Sequence, residues 1–286
     1  MENIKARQNE PWMLRIQYAA KYHFNRAEKI GHWIWIAALL AELCIFLPES
    51  TPDLLKWGCP VSFLIIELLI SDSFKNHIKT ASSLRNFFDS YVLNLKYNEY
   101  SSNQIEEFEE EALRVFDKKV DAATTQISNT GRDFPPGVKD WYEFPKQYLD
   151  NDAIFECQKQ NKYWNHVLSK KRRYLYFSIM IISLLPLLIV GLWGNHGLRW
   201  SMLMCVSGLV LRGIDRICAH ISYARISHEI DSIVDNLSKD HKYSNLLDLQ
   251  SKIDTRRTLP VLESDAIHKK LAAKISTTYE RITRHT

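Results

Sequence analysis

The chain has 286 residues, of which 24% are charged, a formal net charge of +4 and a mean hydropathy of −0.25. Those averages fit a soluble protein of one or two domains, and so small a basic excess is weak ground for a nucleic-acid partner. The distribution along the chain excludes the soluble reading: apolar residues gather in four runs, about 31–48, 57–71, 174–193 and 200–219, and a bilayer core of about 30 Å takes about 20 apolar residues per helix.

The opening segment, "RQNEPWMLRIQYAAKYHFNRAEKIGHW", has Pro11 at a plausible first helical turn and apolar Leu14, Tyr18, Ala19 and Tyr22 near 3.6-residue spacing. A helix is therefore predicted to begin before the membrane and to deliver Trp33 and Trp35 to the interface. The segment lacks the short basic region and small-residue cleavage site of a removable signal, so the first run is expected to stay as an anchor.

The run "GHWIWIAALLAELCIFLP" places Glu42 among its most apolar residues, and the second run does the same with Glu67. Carboxylates in hydrocarbon cost several kcal/mol, so they face protein or water. Glu42 lies six residues before Pro48 and Glu67 seven after Pro60, which puts each about 9–11 Å below the hairpin tip at 1.5 Å per residue. Two arrangements answer to that. The pair is neutral and hydrogen-bonded between helices, or Glu67 pairs with Arg212 of the fourth run. Alternatively, copies of the chain assemble with Glu42 and Glu67 lining a water-filled path, as acidic rings do in cation pores.

Beyond the second run, 80–98 is amphipathic through Leu84, Phe87, Phe88, Tyr91, Val92 and Leu95. A new helix is predicted from about Asn103, with Glu106 completing a capping box and Gly131 ending it. "GRDFPPGVKDWYEFP", 131–145, breaks all periodicity with three prolines and two glycines and is predicted as a loop. From about Asp150 no breaker occurs until Pro186, so one long helix should become the third span. The fourth should continue outward along Ile217, Ile221, Ile226, Ile230, Ile233 and Leu237, near heptad spacing. A further helix covers "SNLLDLQSKIDTRR", and Pro260 separates it from a basic terminal helix, 263–284.

Orientation follows from the cations. Of 37 Lys and Arg, 35 fall in 1–30, 75–173 and 212–286, leaving Lys56 and Arg199 in the two short connections. The positive-inside rule then puts both termini and the middle segment on the cytoplasmic side. The expected fold is an all-α membrane protein with two transmembrane helical hairpins and a helical cytoplasmic domain. Its divisions are an N-terminal helix (1–30), hairpin one (31–74), a middle helical region (75–173), hairpin two (174–219) and a helical tail (220–286).

No phosphate-binding loop, nucleophile elbow, zinc-protease helix or dinucleotide fingerprint is present. The five cysteines form no C-x-x-C pair, and the sequence offers His220 and His228 no carboxylate or Cys at metal-ligand spacing. Neither an enzyme, a metal nor a cofactor is expected. The two function classes left are a ligand-gated pore, which needs its intramembrane carboxylates, and a membrane-anchored helical scaffold or adaptor for a protein partner, which does not.

Four stretches, "RQNEPWMLRIQYAAKYHFNRAEK", "KDWY" at 139–142, "CQKQNKYWN" at 157–165 and "LQSKIDTRR" near the C-terminus, together resemble the SMODS-associated four-transmembrane effectors of cyclic-oligonucleotide-based antiphage signalling. The chain departs from the family's Tyr-Pro at Tyr142-Glu143 and beyond Pro260. The resemblance implies a multi-pass effector of the bacterial inner membrane, activated by a cyclic oligonucleotide from a cognate nucleotidyltransferase. Such an effector would oligomerise and permeabilise the bilayer, with no DNA or RNA polymer as partner. A cyclic oligonucleotide needs cations for its phosphates and rings for its bases. Arg132, Trp141 and Tyr142 of the Pro-rich loop, with Arg256 and Arg257 of the tail, are the expected ligand residues.

Overall fold

The computed structural model describes residues 2–44, 47–48, 50–96, 99–144, 147–148, 150–163, 178, 181, 192, 196–237 and 241–261, with side chains described except at 42, 57 and 196–212. Most of the third apolar run, residues 164–177 leading into it and the predicted terminal helix lie outside these residues. The order is α1 (Glu2–Gln8), α2 (Pro11–Leu43), α3 (Asp53–Val92), α4 (Ser102–Asp117), α5 (Val120–Ser128), α6 (150–163), α7 (His196–Leu237) and α8 (Tyr243–Arg257). Among the described residues the fold is all-helical, with an isolated bridge between Thr130 and Lys139.

α2 begins at Pro11, where a missing N–H costs nothing, and continues unbroken for 33 residues. α3 runs for 40 residues and starts at Asp53, so Pro60 lies inside it and not at its head. The two helices are antiparallel along their length. Arg7 donates to the Val92 carbonyl at 2.9 Å, Trp12 meets Tyr91 edge-on at 4.8 Å, His23 meets His77, and a methyl on Gly31 would stand 3.3 Å from the Phe74 ring. Counting eleven residues on from Gly31 and back from Phe74 puts Glu42 level with Phe63. Glu67 is then about 6 Å further from the tip, so the equal depth expected from Pro60 does not hold.

Between the helices, Ala27, Ile30, Ile34, Phe74 and Ile78 form a closed apolar seam. Outward, Trp33, Leu39, Leu43, Leu54, Val61, Ile65 and Leu69 are exposed, and Leu68 is 72% exposed. An apolar band of this extent is foreign to a water-facing surface. Among the described residues α3 is long and apolar enough to cross a membrane. Glu67, 8% exposed, turns inward between outward-facing Ile66 and Leu68.

Beyond the band lies a polar-surfaced helical body with one core. Met13, Ile16 and Ala20 of α2 meet Leu84, Phe88 and Val92 of α3, Ala112 and Val115 of α4, Cys157 of α6, Ile230 and Val234 of α7, and Leu246, Leu249 and Ile253 of α8. The α7 stripe enters this core only from Ile226 onward, since Ile217 and Ile221 are exposed. The capping box closes on Ser101 and Gln104 instead of Asn103 and Glu106. The predicted single helix to Gly131 is two, because Lys119 at φ −152°, ψ 60° leaves the helical region and starts α5 anew.

The Pro-rich stretch is the expected loop, and it folds back on the end of α5. Val138 N–H donates to the Gln126 carbonyl at 2.9 Å, Lys139 N–H to Asn129 at 3.0 Å and Gly137 N–H to Thr130 at 2.7 Å, satisfying carbonyls that a helix end leaves open. A Cβ at Gly137 would stand 1.8 Å from the Asn129 carbonyl oxygen. Gly137→Ala is therefore expected to cost about 1–3 kcal/mol by overpacking, measured as a lower thermal midpoint by circular dichroism in detergent.

Candidate functional site

The four sequence stretches singled out above are one another's hydrogen-bond partners. Gln8, at the end of α1, accepts from Tyr142 N–H at 2.8 Å through Oε1 and donates to the Tyr142 carbonyl at 3.2 Å through Nε2. Asn9 repeats this one step away, accepting from Asp140 N–H at 3.1 Å and donating to its carboxylate at 2.7 Å. These bonds hold Asp140 at φ 50°, a left-handed conformation that Asp adopts only with local support. "RQN" is thus the clamp that "KDWY" folds against.

Beneath the clamp, Tyr142 is 1% exposed. Its hydroxyl donates to Asp89 Oδ1 at 2.7 Å and accepts from Asn161 Nδ2 at 2.9 Å. Asp89, on α3, is 0% exposed. Its other oxygen accepts from Arg257 Nη2 at 2.7 Å and Gln250 Nε2 at 3.1 Å. Arg257 also reaches Asp254 at 3.2 Å, and Gln158 of α6 donates to Gln250 at 3.1 Å. Burial pushes the Tyr142 phenol well above its ordinary pKa, and the Asp89 charge pushes it further. Burial works against the Arg257 charge, but Asp89 and Asp254 outweigh it and raise the guanidinium pKa. Cys157 is raised too, first by burial and then by Asp89, so its thiol is an inert core group.

Above the clamp opens a cleft of about 440 Å³ lined by Lys5, Gln8, Thr130, Arg132, Asp140, Tyr142, Glu143 and Phe144. Arg132 grips Glu143 with two bonds, Nε to Oε1 at 3.0 Å and Nη2 to Oε2 at 2.6 Å. Lys5 Nζ stands 5.7 Å from the Phe144 ring centroid. The Glu143 backbone is held in turn by buried Gln160 of α6, which accepts from its N–H at 3.0 Å and donates to its carbonyl.

Of the five expected ligand residues, the structure brings Arg132 and Tyr142 to this cleft. Trp141 lies under Arg85, whose guanidinium carbon is 3.9 Å from the ring centroid. Arg256 is buried over Tyr223 at 5.7 Å, and Arg257 is committed to Asp89. Glu67 faces the inside of its own hairpin, while the side chains of Glu42 and Arg212 lie outside the described residues. Sequence reasoning missed Asp89, Gln160 and Lys5. No local signal marks Asp89, since its neighbours on the same helix face include polar Ser82, Arg85 and Asn86. Among the described residues no group of three or more His, Cys, Asp or Glu is placed to hold a metal ion.

Removing one partner of a buried pair strands the other, at about 3–5 kcal/mol. Asp89→Ala is therefore expected to lower unfolding stability by that amount, and protease nicking of the 131–145 loop should rise with it.

No curated protein and no solved structure matches this chain. The profile of the SMODS-associating 4TM effector domain matches residues 2–279, which takes in the clamp, the Asp89 hub, the cleft and the apolar hairpin together. The chain belongs to the SMODS-associating 4TM effector family.

Proposed function

We propose that the protein is a cyclic-oligonucleotide-activated effector of the bacterial inner membrane that assembles into oligomers and permeabilises the bilayer in antiphage defence. The observation that carries this reading is the family match over almost the whole chain, joined to a cleft of ligand size beside the matched motifs. Both termini and the helical body face the cytoplasm, where a nucleotidyltransferase partner releases its product. Hairpins one and two cross the bilayer.

The ligand enters the cleft at Arg132 and Lys5. A guanidinium that holds a carboxylate with two parallel bonds holds a phosphate in the same way, so Glu143 occupies the place of a ligand phosphate. An exposed ion pair is worth about 0–1 kcal/mol, and a phosphodiester displaces Glu143 at little cost. The 440 Å³ of the cleft falls in the range of about 300–1,000 Å³ usual for small-molecule sites. Because Gln160 grips the Glu143 backbone, the exchange pulls on α6, which leads toward the second apolar hairpin. Trp141, Arg256 and Arg257 support the cleft from behind. In the assembled, opened effector the helices of hairpin one part, so that Glu42 and Glu67 line the path for ions.

The test is dye release from liposomes carrying the purified protein, with a panel of cyclic di- and trinucleotides added on the side of the helical body. Arg132→Ala is expected to weaken ligand affinity about tenfold or more, equivalent to about 1.4 kcal/mol, by isothermal titration calorimetry. Glu143→Gln should strengthen it by weakening the competing carboxylate's hold on Arg132. Silence toward every cyclic nucleotide would leave the scaffold reading in place.

The carboxylates are tested separately by reversal potentials under a salt gradient. Glu67→Gln keeps size and hydrogen bonding while removing charge, so a pore lined by this residue loses cation preference. Potentials unchanged from wild type would make Glu67 a helix-to-helix hydrogen bond.

A further inference from the structure

Where the apolar hairpin meets the helical body, three titratable side chains form a chain that neither the cleft nor the hub uses. His23 of α2 and His77 of α3 face each other, Nδ1 to Nδ1, at 2.7 Å. The far nitrogen of His23, Nε2, stands 2.6 Å from Glu111 Oε1 of α4. His23 is 3% exposed, and the two rings lie 5.0 Å apart, tilted. The Ala27–Ile30–Phe74–Ile78 seam begins one helical turn further along. The chain therefore fastens the first two helices of the apolar hairpin to each other and, through Glu111, to the body.

We propose that His23, His77 and Glu111 form a proton-operated latch at the polar foot of the hairpin, closed at neutral pH and released by acid. With both rings neutral one proton order satisfies every bond: His77 Nδ1–H donates to His23 Nδ1, and His23 Nε2–H donates to the Glu111 carboxylate. A first added proton settles on the free nitrogen of His77 and leaves the Nδ1 to Nδ1 bond intact. A second makes both rings imidazolium and sets two N–H groups against each other across 2.7 Å. The bond is then lost and like charges replace it.

The surrounding charges favour the closed, neutral form. Arg114 and Lys118 act on His23, and Arg26, Arg114 and His23 itself act on His77, while Glu111 opposes them all. Tyr22 adds an uncharged ring, edge-on to His23 at 5.5 Å. Burial, the largest cause, and then these cations lower His77 to about 4, and burial lowers His23 as well. Both are depressed in the closed state, so the stabilisation is complete above the free imidazole value near 6.5 and is lost as pH falls toward about 4. Acidification of the face where the body sits is the signal that opens the latch. The inference rests on this side-chain cluster and its surroundings and stands whether or not the cleft binds a nucleotide.

Hydrogen–deuterium exchange on the full chain in nanodiscs reads the latch directly, over 20–30 and 72–82, with rates corrected for chemical exchange. For one histidine at about 4 closed and about 6.5 open, opening rises about 30-fold between pH 7.5 and pH 5. His77→Gln still donates to His23 Nδ1 but takes up no proton, so only the share of His23 remains and its opening should rise clearly less with acid than that of wild type. Equal pH dependence in wild type and variant overturns the proposal, as does no change in wild type. Should His77→Gln fail to fold, 15N spectra of histidine-labelled wild type decide: a pair of imidazoles titrating near 6.5 without loss of protection overturns it. A ring that stays neutral well below 6.5 until protection is lost supports it.

Discussion

A carboxylate with no access to water must be answered by donors, and the whole helical body is arranged around that requirement at Asp89. Its two oxygens take Tyr142, Arg257 and Gln250, residues 53, 168 and 161 positions away in sequence. One desolvated charge thereby ties α3 to the Pro-rich loop and to α8. Without these partners the charge would cost several kcal/mol, so the loop and α8 cannot shift independently of α3. The clamp of Gln8 and Asn9 then has a fixed edge to bind, and the cleft above it has a fixed floor.

The contacts around that floor differ in strength. Asp89 is fully buried with both oxygens paired, while the Arg132–Glu143 pair at the cleft mouth is solvated, with side chains 43% and 20% exposed. Buried pairs resist change and exposed ones exchange readily. The cleft mouth therefore carries a movable ion pair mounted on an immovable base. α2 and α3 pass from this body into the apolar band without a break, so motion at their feet is carried along rigid helices and not absorbed in a linker.

Gln160 and the histidine pair sit at two joints of the body. Gln160 links the cleft to α6, and His23 with His77 and Glu111 links α2, α3 and α4. Gln160 uses neutral amide bonds, and the Glu111 carboxylate that His23 meets is 20% exposed, so neither joint holds a charge as deeply buried as that of the hub, and both are easier to open.

Much of this architecture was legible in the residues alone. The 3.6-residue stripes of α2, 80–95 and α4 marked helices, Pro11 marked a start, and three prolines marked the loop, because those signals act within a few residues of each other. The capping box was displaced by two positions, since two overlapping Ser/Asn and Gln/Glu pairs satisfy the same pattern and only the backbone at Ser101 chooses between them. Pro60 looked like a helix head and proved tolerable inside α3, which moved Glu67 away from the level of Glu42. The resemblance picked out four short motifs, but nothing local says that Gln8 belongs with Tyr142 or His23 with His77. Those pairings, between residues 134 and 54 positions apart, depend on the register in which long helices pack and on which polar groups that packing cuts off from water. The sequence determined the helices, the loop and the apolar band through local periodicity, and the tertiary structure alone decided which polar side chains are buried together, because desolvation is a property of the packed chain and not of any segment of it.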